Sequence, residues 1–151
     1  MPYAFEIYKD RVGEFRVRFM APNGEKMFAS EGYVSKAEII KHAEVLYDHI
    51  AIAVVEPGVR NSQLLIAKSA DTLLNMTDIL ASFVIGERPD GLVSISARSL
   101  GGINVQVIME RMGGGGHLTN AAAQLEGTVF EAANKLKKVL EQIESEEGLF
   151  E

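Results

Sequence analysis

Ile50-Ala51-Ile52-Ala53-Val54-Val55 is an unbroken apolar run of strand length, without the polar alternation of a half-exposed strand. It predicts a strand covered on both faces, which requires helices above and below a sheet. Pro57-Gly58 closes it. Beyond that stop, Leu64, Leu65, Ala67, Ala70, Leu73, Leu74 and Met76 recur at helical spacing behind Asn61 or Ser62 as a cap. Residues 81–85 and 92–97 read as two strands joined by the hairpin loop Glu87-Arg88-Pro89-Asp90-Gly91. A short helix over 103–112 and a strand over 121–125 follow. Thr128 then caps a last helix whose apolar side carries Val129, Ala132, Ala133, Leu136, Val139, Leu140 and Ile143. The acidic tail from Glu144 onward is expected to fray. From residue 50 the order is strand, helix, strand, strand, helix, strand, helix, which predicts a mixed sheet with packed helices.

The first 34 residues carry a different pattern. Phe5 and Ile7 alternate with Glu6 and Tyr8, Phe15, Val17 and Phe19 alternate with Glu14, Arg16 and Arg18, and Met27-Phe28-Ala29 follows Pro22-Asn23-Gly24. Three short antiparallel strands are the simplest account, with Arg11-Val12-Gly13 and Pro22-Asn23-Gly24 as tight turns. Ser35 with Glu38 forms the pattern of a capping box, and Ile39, Ile40, Ala43, Leu46 and Tyr47 fall at helical spacing. A helix over about 36–48 is therefore predicted. The fold class is α+β: an N-terminal three-stranded antiparallel meander plus helix, joined to a mixed β-sheet with packed helices. The expected organisation is a β module over 1–36, a connecting helix over 37–49 shared by both modules, and a second domain over 50–151.

Composition narrows the function. The chain has 151 residues, 47% hydrophobic and 24% charged, which suits a globular protein rather than a disordered one. Its net charge of -6 gives no general attraction for polyanions, so nucleotide or nucleic-acid recognition would need a local site. The absence of cysteine excludes disulfides, thiolate catalysis and Cys-type zinc sites. No apolar run approaches a membrane span and no signal-peptide pattern opens the chain. A cytoplasmic location is expected, or a cytosolic portion of a membrane-anchored parent, with no membrane contact by this segment.

Two segments carry recognition chemistry. In Met112-Gly113-Gly114-Gly115-Gly116-His117-Leu118-Thr119-Asn120 the glycine run lets a ligand approach the peptide groups, and an imidazole, a hydroxyl and a carboxamide follow. A flexible linker is the alternative reading of the glycines, a surface histidine that of His117, and local capping that of Thr119 and Asn120. In the strand end Ser94-Ile95-Ser96-Ala97-Arg98-Ser99, alternation puts Ser94, Ser96 and Arg98 on one face, and a guanidinium beside hydroxyls suits a phosphate. An exposed arginine at a strand terminus is the plainer account. Nucleophile elbow, Walker lysine, His-Glu-x-x-His and dense Asp/His clusters are all missing, so the chain shows recognition groups without a catalytic engine.

Val59-Arg60-Asn61-Ser62-Gln63, Ile95-Ser96-Ala97-Arg98-Ser99, Asn104-Val105-Gln106 and the segment from Gly113 to Asn120 together resemble the DHH-associated C-terminal domain of bacterial cyclic-di-AMP phosphodiesterases, from about residue 50 to 141. The resemblance implies a substrate-binding domain in which the glycine loop, Gly113, Gly114, Gly115 and Gly116, with His117 and Arg98 holds the phosphate or nucleotide end of the ligand, and Ser96, Thr119 and Asn120, read from the residues above, complete the candidate set. It also assigns a two-manganese centre to a preceding DHH domain, leaving no cofactor and no catalytic residue in this chain. Phe5-Glu6-Ile7-Tyr8-Lys9-Asp10, Gly13-Glu14-Phe15-Arg16-Val17-Arg18, Asn23-Gly24-Glu25, Ser30-Glu31-Gly32-Tyr33 and Ser35-Lys36 resemble a second, small module, the YegP-type domain of unknown function.

The expectation is a phosphate- or nucleotide-binding domain of a hydrolase family, inactive alone. Its partner would be a cyclic dinucleotide or short linear nucleotide, held weakly because one wall of the cleft is absent. The alternative is a structural chimera, natural or engineered, that acts as a dimerising interaction protein without ligand affinity.

Overall fold

The computed structural model describes residues 4–9, 15–20, 26–29, 40–55, 63–76 and 78–148. In chain order they form β1 (Ala4–Lys9), β2 (Phe15–Met20), β3 (Lys26–Ala29), β4 (Ile40–Leu46), β5 (Ile50–Val55), α1 (Gln63–Leu73), β6 (Ala81–Glu87), β7 (Val93–Ser99), α2 (Val105–Arg111), β8 (Gly115–Gly116), β9 (Asn120–Leu125) and α3 (Val129–Glu147). β1, β2 and β3 make the expected antiparallel meander, a sheet of its own. The expected turns at 11–13 and 22–24, the capping pattern at Ser35 and Glu38, and the caps at Asn61 and Ser62 lie outside the described residues.

The second sheet has six strands in the order β4-β5-β6-β7-β9-β8. Only the β5–β6 pairing is parallel, with α1 as its crossover, and the remaining pairs are antiparallel. Every residue of β5 is buried, as the apolar run demands. Alternation divides it between two cores. Ile50, Ile52 and Val54 join Phe83, Ile85, Ile95 and the apolar sides of α2 and α3, whereas Ala51, Ala53 and Val55 join Val84 and the α1 residues Ile66, Ala70 and Leu73. Small alanines on the α1 side let that helix sit close to the sheet. At the other end, Thr128 and Glu131 form a reciprocal capping box that starts α3.

The helix expected over about 36–48, and with it the shared connecting helix over 37–49, is corrected by β4. Residues 43–46 pair with 53–50 of β5, and β4 is the edge strand of the larger sheet. The apolar residues of this segment fit a period of two as well as one of 3.6. The open hydrogen-bonding edge of a fully buried strand then decides the matter, because its unpaired amides and carbonyls need partners. Val45 packs on the α1 side and Leu46 on the α3 side, and Glu44 is ion-paired with Lys137 of α3. The turn lacks the usual Gly or Asn. Tyr47 and Asp48 both take positive φ, 52° and 63°, and the His49 N–H donates to the Leu46 carbonyl at 3.1 Å, which closes a mirror-image turn suited to a hairpin. Burial, then the Glu141 and Glu144 carboxylates, raise the Tyr47 hydroxyl above the ordinary phenol pKa.

A second correction concerns the tail. It does not fray at Glu144: α3 continues through Glu147 and stops at Gly148, whose φ of 63° and N–H bond to the Glu144 carbonyl end it as a left-handed cap.

The hairpin and helix readings of residues 36–48 predict opposite signs for one substitution. Asp48→Gly is expected to raise unfolding free energy by about 0.5 kcal/mol in urea denaturation, because the turn position already has positive φ. A loss of about 1 kcal/mol, as in a helix interior, would contradict the strand.

Candidate functional site

Arg98 is the penultimate residue of β7, and the ladder sets it in a transverse row with Ser82 of β6 and Asn120 of β9. His117 extends this row. Its N–H donates to the Asn120 carbonyl at 2.8 Å, and the Asn120 N–H donates to the His117 carbonyl at 3.3 Å. Residues that exchange both bonds are directly opposed and share one face of the sheet. Strands lie about 4.8 Å apart, so the guanidinium and the imidazole arise from backbones about 10 Å apart, on either side of the Asn120 carboxamide. Beside that row runs another, Val84, Ser96, Ala122 and Gly115. Its outer members are small, so β7, β9 and β8 present a smooth floor with polar groups along one margin.

Arg98 is held rather than loose. Its Nε donates to Asp71 Oδ1 at 2.9 Å and its Nη1 to the Ala97 carbonyl at 2.9 Å. Nη2 has no hydrogen-bond partner among the described residues. Only 14% of the Arg98 side chain is exposed, against 64% for Asp71. Asp71 was not foreseen from sequence, since nothing in a helix 27 residues upstream marks it as the partner of a strand-end arginine. One step before it, the Ala70 carbonyl accepts a 2.6 Å bond from the Ser82 hydroxyl, which ties the end of α1 to the same row.

The four glycines are not equivalent. α2 ends in a Schellman motif: the Gly113 N–H donates to the Glu110 carbonyl at 3.1 Å and the Gly114 N–H to the Met109 carbonyl at 2.8 Å, with Gly113 at φ 88°. Gly115 and Gly116 then form β8 against β9, so this part of the run is an edge strand rather than a loop or a slack linker. A Cβ on Gly114 would lie 2.1 Å from the Ala122 carbonyl oxygen, and one on Gly116 would lie 2.5 Å from the Ala121 Cα. Close backbone packing therefore accounts for these two positions. Gly115 has open space around its Cβ direction. Because His117 and Asn120 form a hydrogen-bonded pair, the next pair, Gly116 and Ala121, is non-bonded, and the Gly116 amide turns to the free edge.

Leu118 and Thr119 make the hairpin tip. Their carbonyls accept from the Val105 N–H at 3.1 Å and the Ser99 N–H at 3.0 Å, which stitches the tip to the start of α2 and the end of β7. Thr119 thus contributes its backbone to the frame, and its side chain is exposed. Asn104 is the N-cap of α2, accepting from the Gln106 and Val107 amides. Arg98, Asn120, His117 and the Gly116 amide then stand along one margin, a set of donors suited to the oxygens of an anion. Among the described residues no group of three His, Asp or Glu side chains could hold a metal ion, and His49 has its Nδ1 engaged with the Asp78 carbonyl at 3.0 Å. No helix among the described residues is long and apolar enough to cross a membrane.

Two families match the chain: the DHHA1 domain over residues 48–146, and DUF1508, a domain of unknown function, over residues 10–42. The cyclic-di-AMP phosphodiesterase GdpP of Geobacillus thermodenitrificans is 55% identical over 109 residues, which cover 72% of this chain and 17% of that protein. The cyclic-di-AMP phosphodiesterase PdeA of Listeria monocytogenes is 47% identical over 103 residues, covering 68% and 16% respectively. This chain therefore spans less than a fifth of the length of either relative. A UPF0339 protein of Agrobacterium fabrum is 60% identical over 42 residues, 28% of this chain and 68% of that protein. Among solved structures, an exopolyphosphatase-related protein from Bacteroides fragilis shares the fold with a TM-score of 0.57 at 20% identity, over 78% of this chain and 37% of that one.

The inequality of the glycines is directly measurable. Gly114→Ala is expected to lower unfolding free energy by about 2 kcal/mol or more, because the struck atom is backbone and cannot turn aside. Gly115→Ala should change it by less than about 0.5 kcal/mol. Equal losses in urea denaturation would contradict the close approach of β8 to β9.

Proposed function

The chain belongs to the DHHA1 domain family over residues 48–146, behind a DUF1508 segment, and on that footing we propose that it is the nucleotide-binding domain of a cyclic-dinucleotide phosphodiesterase. The observation that carries this reading is the row of Arg98, Asn120 and His117 on one face of the sheet. The free end of the guanidinium, the carboxamide and the imidazole would bind one phosphate group, and the Gly116 amide would add a donor at the edge. The floor of Ser96, Ala122 and Gly115 has no large side chain to keep a sugar or base away.

The role proposed for this chain ends at binding and orienting. A pair of manganese ions, which the resemblance assigns to a DHH domain, would need converging carboxylates and imidazoles, and the described residues offer no such donor set. Cyclic-di-AMP or its linear product is the proposed ligand, by analogy with the activity named for the two phosphodiesterase relatives. Affinity should be modest, since Gly116, His117, Asn120 and Ala122 are exposed and bury little of a ligand.

Ligand at ten times its Kd should stabilise the chain by about 1.4 kcal/mol, a rise in Tm of roughly 3–6 °C for a domain of this size. In the double variant Arg98→Ala, His117→Ala that rise should vanish, since each lost charge-assisted bond is worth about 1.5–3 kcal/mol. The unliganded Tm of the double variant should itself fall, because the Arg98 side chain is mostly buried, so each ligand-induced shift is read from that protein's own unliganded Tm. A wild type without a nucleotide-dependent shift, or a double variant that keeps it, would overturn the reading. A dimer indifferent to nucleotide would favour an interaction protein instead.

A further inference from the structure

Asp71 is a carboxylate placed where an anion is proposed to bind, which calls for an explanation. Its own exposure makes the pair with Arg98 a weak stabiliser of the fold. Its position is nevertheless fixed from two sides. Ser82 anchors the adjacent Ala70 carbonyl, and Ser82 is the direct ladder partner of Arg98. The last turn of α1 is thereby clamped to the arginine's row, with the carboxylate meeting Nε.

A guanidinium has five N–H donors in a rigid fork. Asp71 takes the Nε hydrogen and the Ala97 carbonyl takes one from Nη1. What remains, among the described residues, is the second Nη1 hydrogen and both on Nη2, the end of the fork, with a negative charge fixed on its flank. A phosphodiester brings one negative charge to that end. A terminal phosphate brings nearly two at pH 8.

We infer that Asp71 is a positioning and selecting residue, which offers only the Nη end of Arg98 to the ligand and biases the site towards a singly charged phosphodiester over a doubly charged terminal phosphate. The inference rests on the nucleotide-binding reading above. The carboxylate repels both ligands, and it repels the second charge of the terminal phosphate in addition. At a separation of about 6 Å in a largely aqueous setting, that added repulsion amounts to roughly a threefold difference in affinity.

The test is calorimetric titration, at pH 8 and moderate salt, of cyclic-di-AMP and of linear diadenylate carrying a 5′-phosphate. Wild type, Asp71→Asn and Asp71→Ala are compared. Asparagine keeps an oxygen to accept from Nε and removes the charge, so the ratio of cyclic to linear affinity should fall about threefold. Alanine also releases the guanidinium, and both ligands should bind it more weakly than they bind the asparagine variant. Diadenylate without the 5′-phosphate serves as a control, and its ratio to the cyclic ligand should not move. An unchanged ratio in Asp71→Asn, with both ligands still binding, would overturn the selection while leaving the binding reading intact. Failure of wild type to bind either ligand would instead overturn the binding reading, and the selection with it.

Discussion

The backbones of the glycine ribbon and of β9 approach each other more closely than a methyl group allows, and the rest of the site depends on that contact. Gly114 and Gly116 each face β9 main-chain atoms at distances where a Cβ could not stand. With the ribbon seated, His117 falls opposite Asn120, and Asn120 is already opposite Arg98. Three polar side chains thus share a row by ladder geometry alone. Beneath them, Ala121 and Ala123 point into the core shared with α2 and α3, so the ribbon is anchored by burial as well as by pairing.

Electrostatics act locally in this chain. A net charge of -6 would repel a nucleotide at long range. The proposed recognition therefore rests on short-range donors with fixed directions. Arg98 meets this need because both its Nε and its Nη1 are tied down. An arginine free to rotate would give up more entropy on binding. The pairing with Asp71 also moderates its charge, which is consistent with a site for recognition rather than for tight capture.

Much of this architecture is legible in the residues. The apolar run of β5 announced its burial on both faces, the alternation in β7 put Ser94, Ser96 and Arg98 together, and Thr128 marked the start of α3. Residues 36–48 are ambiguous because Ala43, Leu46 and Tyr47 fall at helical spacing while Ala43, Val45 and Tyr47 fit a period of two, and the decisive factor, the unpaired edge of β5, is non-local. The turn at Tyr47 and Asp48 adds to the ambiguity, as neither residue is a usual sign of positive φ. The glycine run announced close backbone approach. What it could not disclose is that the approaching partner at Gly114 and Gly116 is β9 of the same chain. Asp71 was invisible for a simpler reason: its partner lies in a strand that only the tertiary fold brings near.

The site is a polar row on a smooth strand floor, built by a chain that also carries a separate antiparallel meander. Its central claim is spatial, and amide chemical-shift mapping tests it most directly. On titration with cyclic-di-AMP, shifts should concentrate at residues 96–98 and 115–120, with β1 to β3 and the outer face of α3 unmoved. Shifts spread over the meander or α3, with none along that row, would contradict the account.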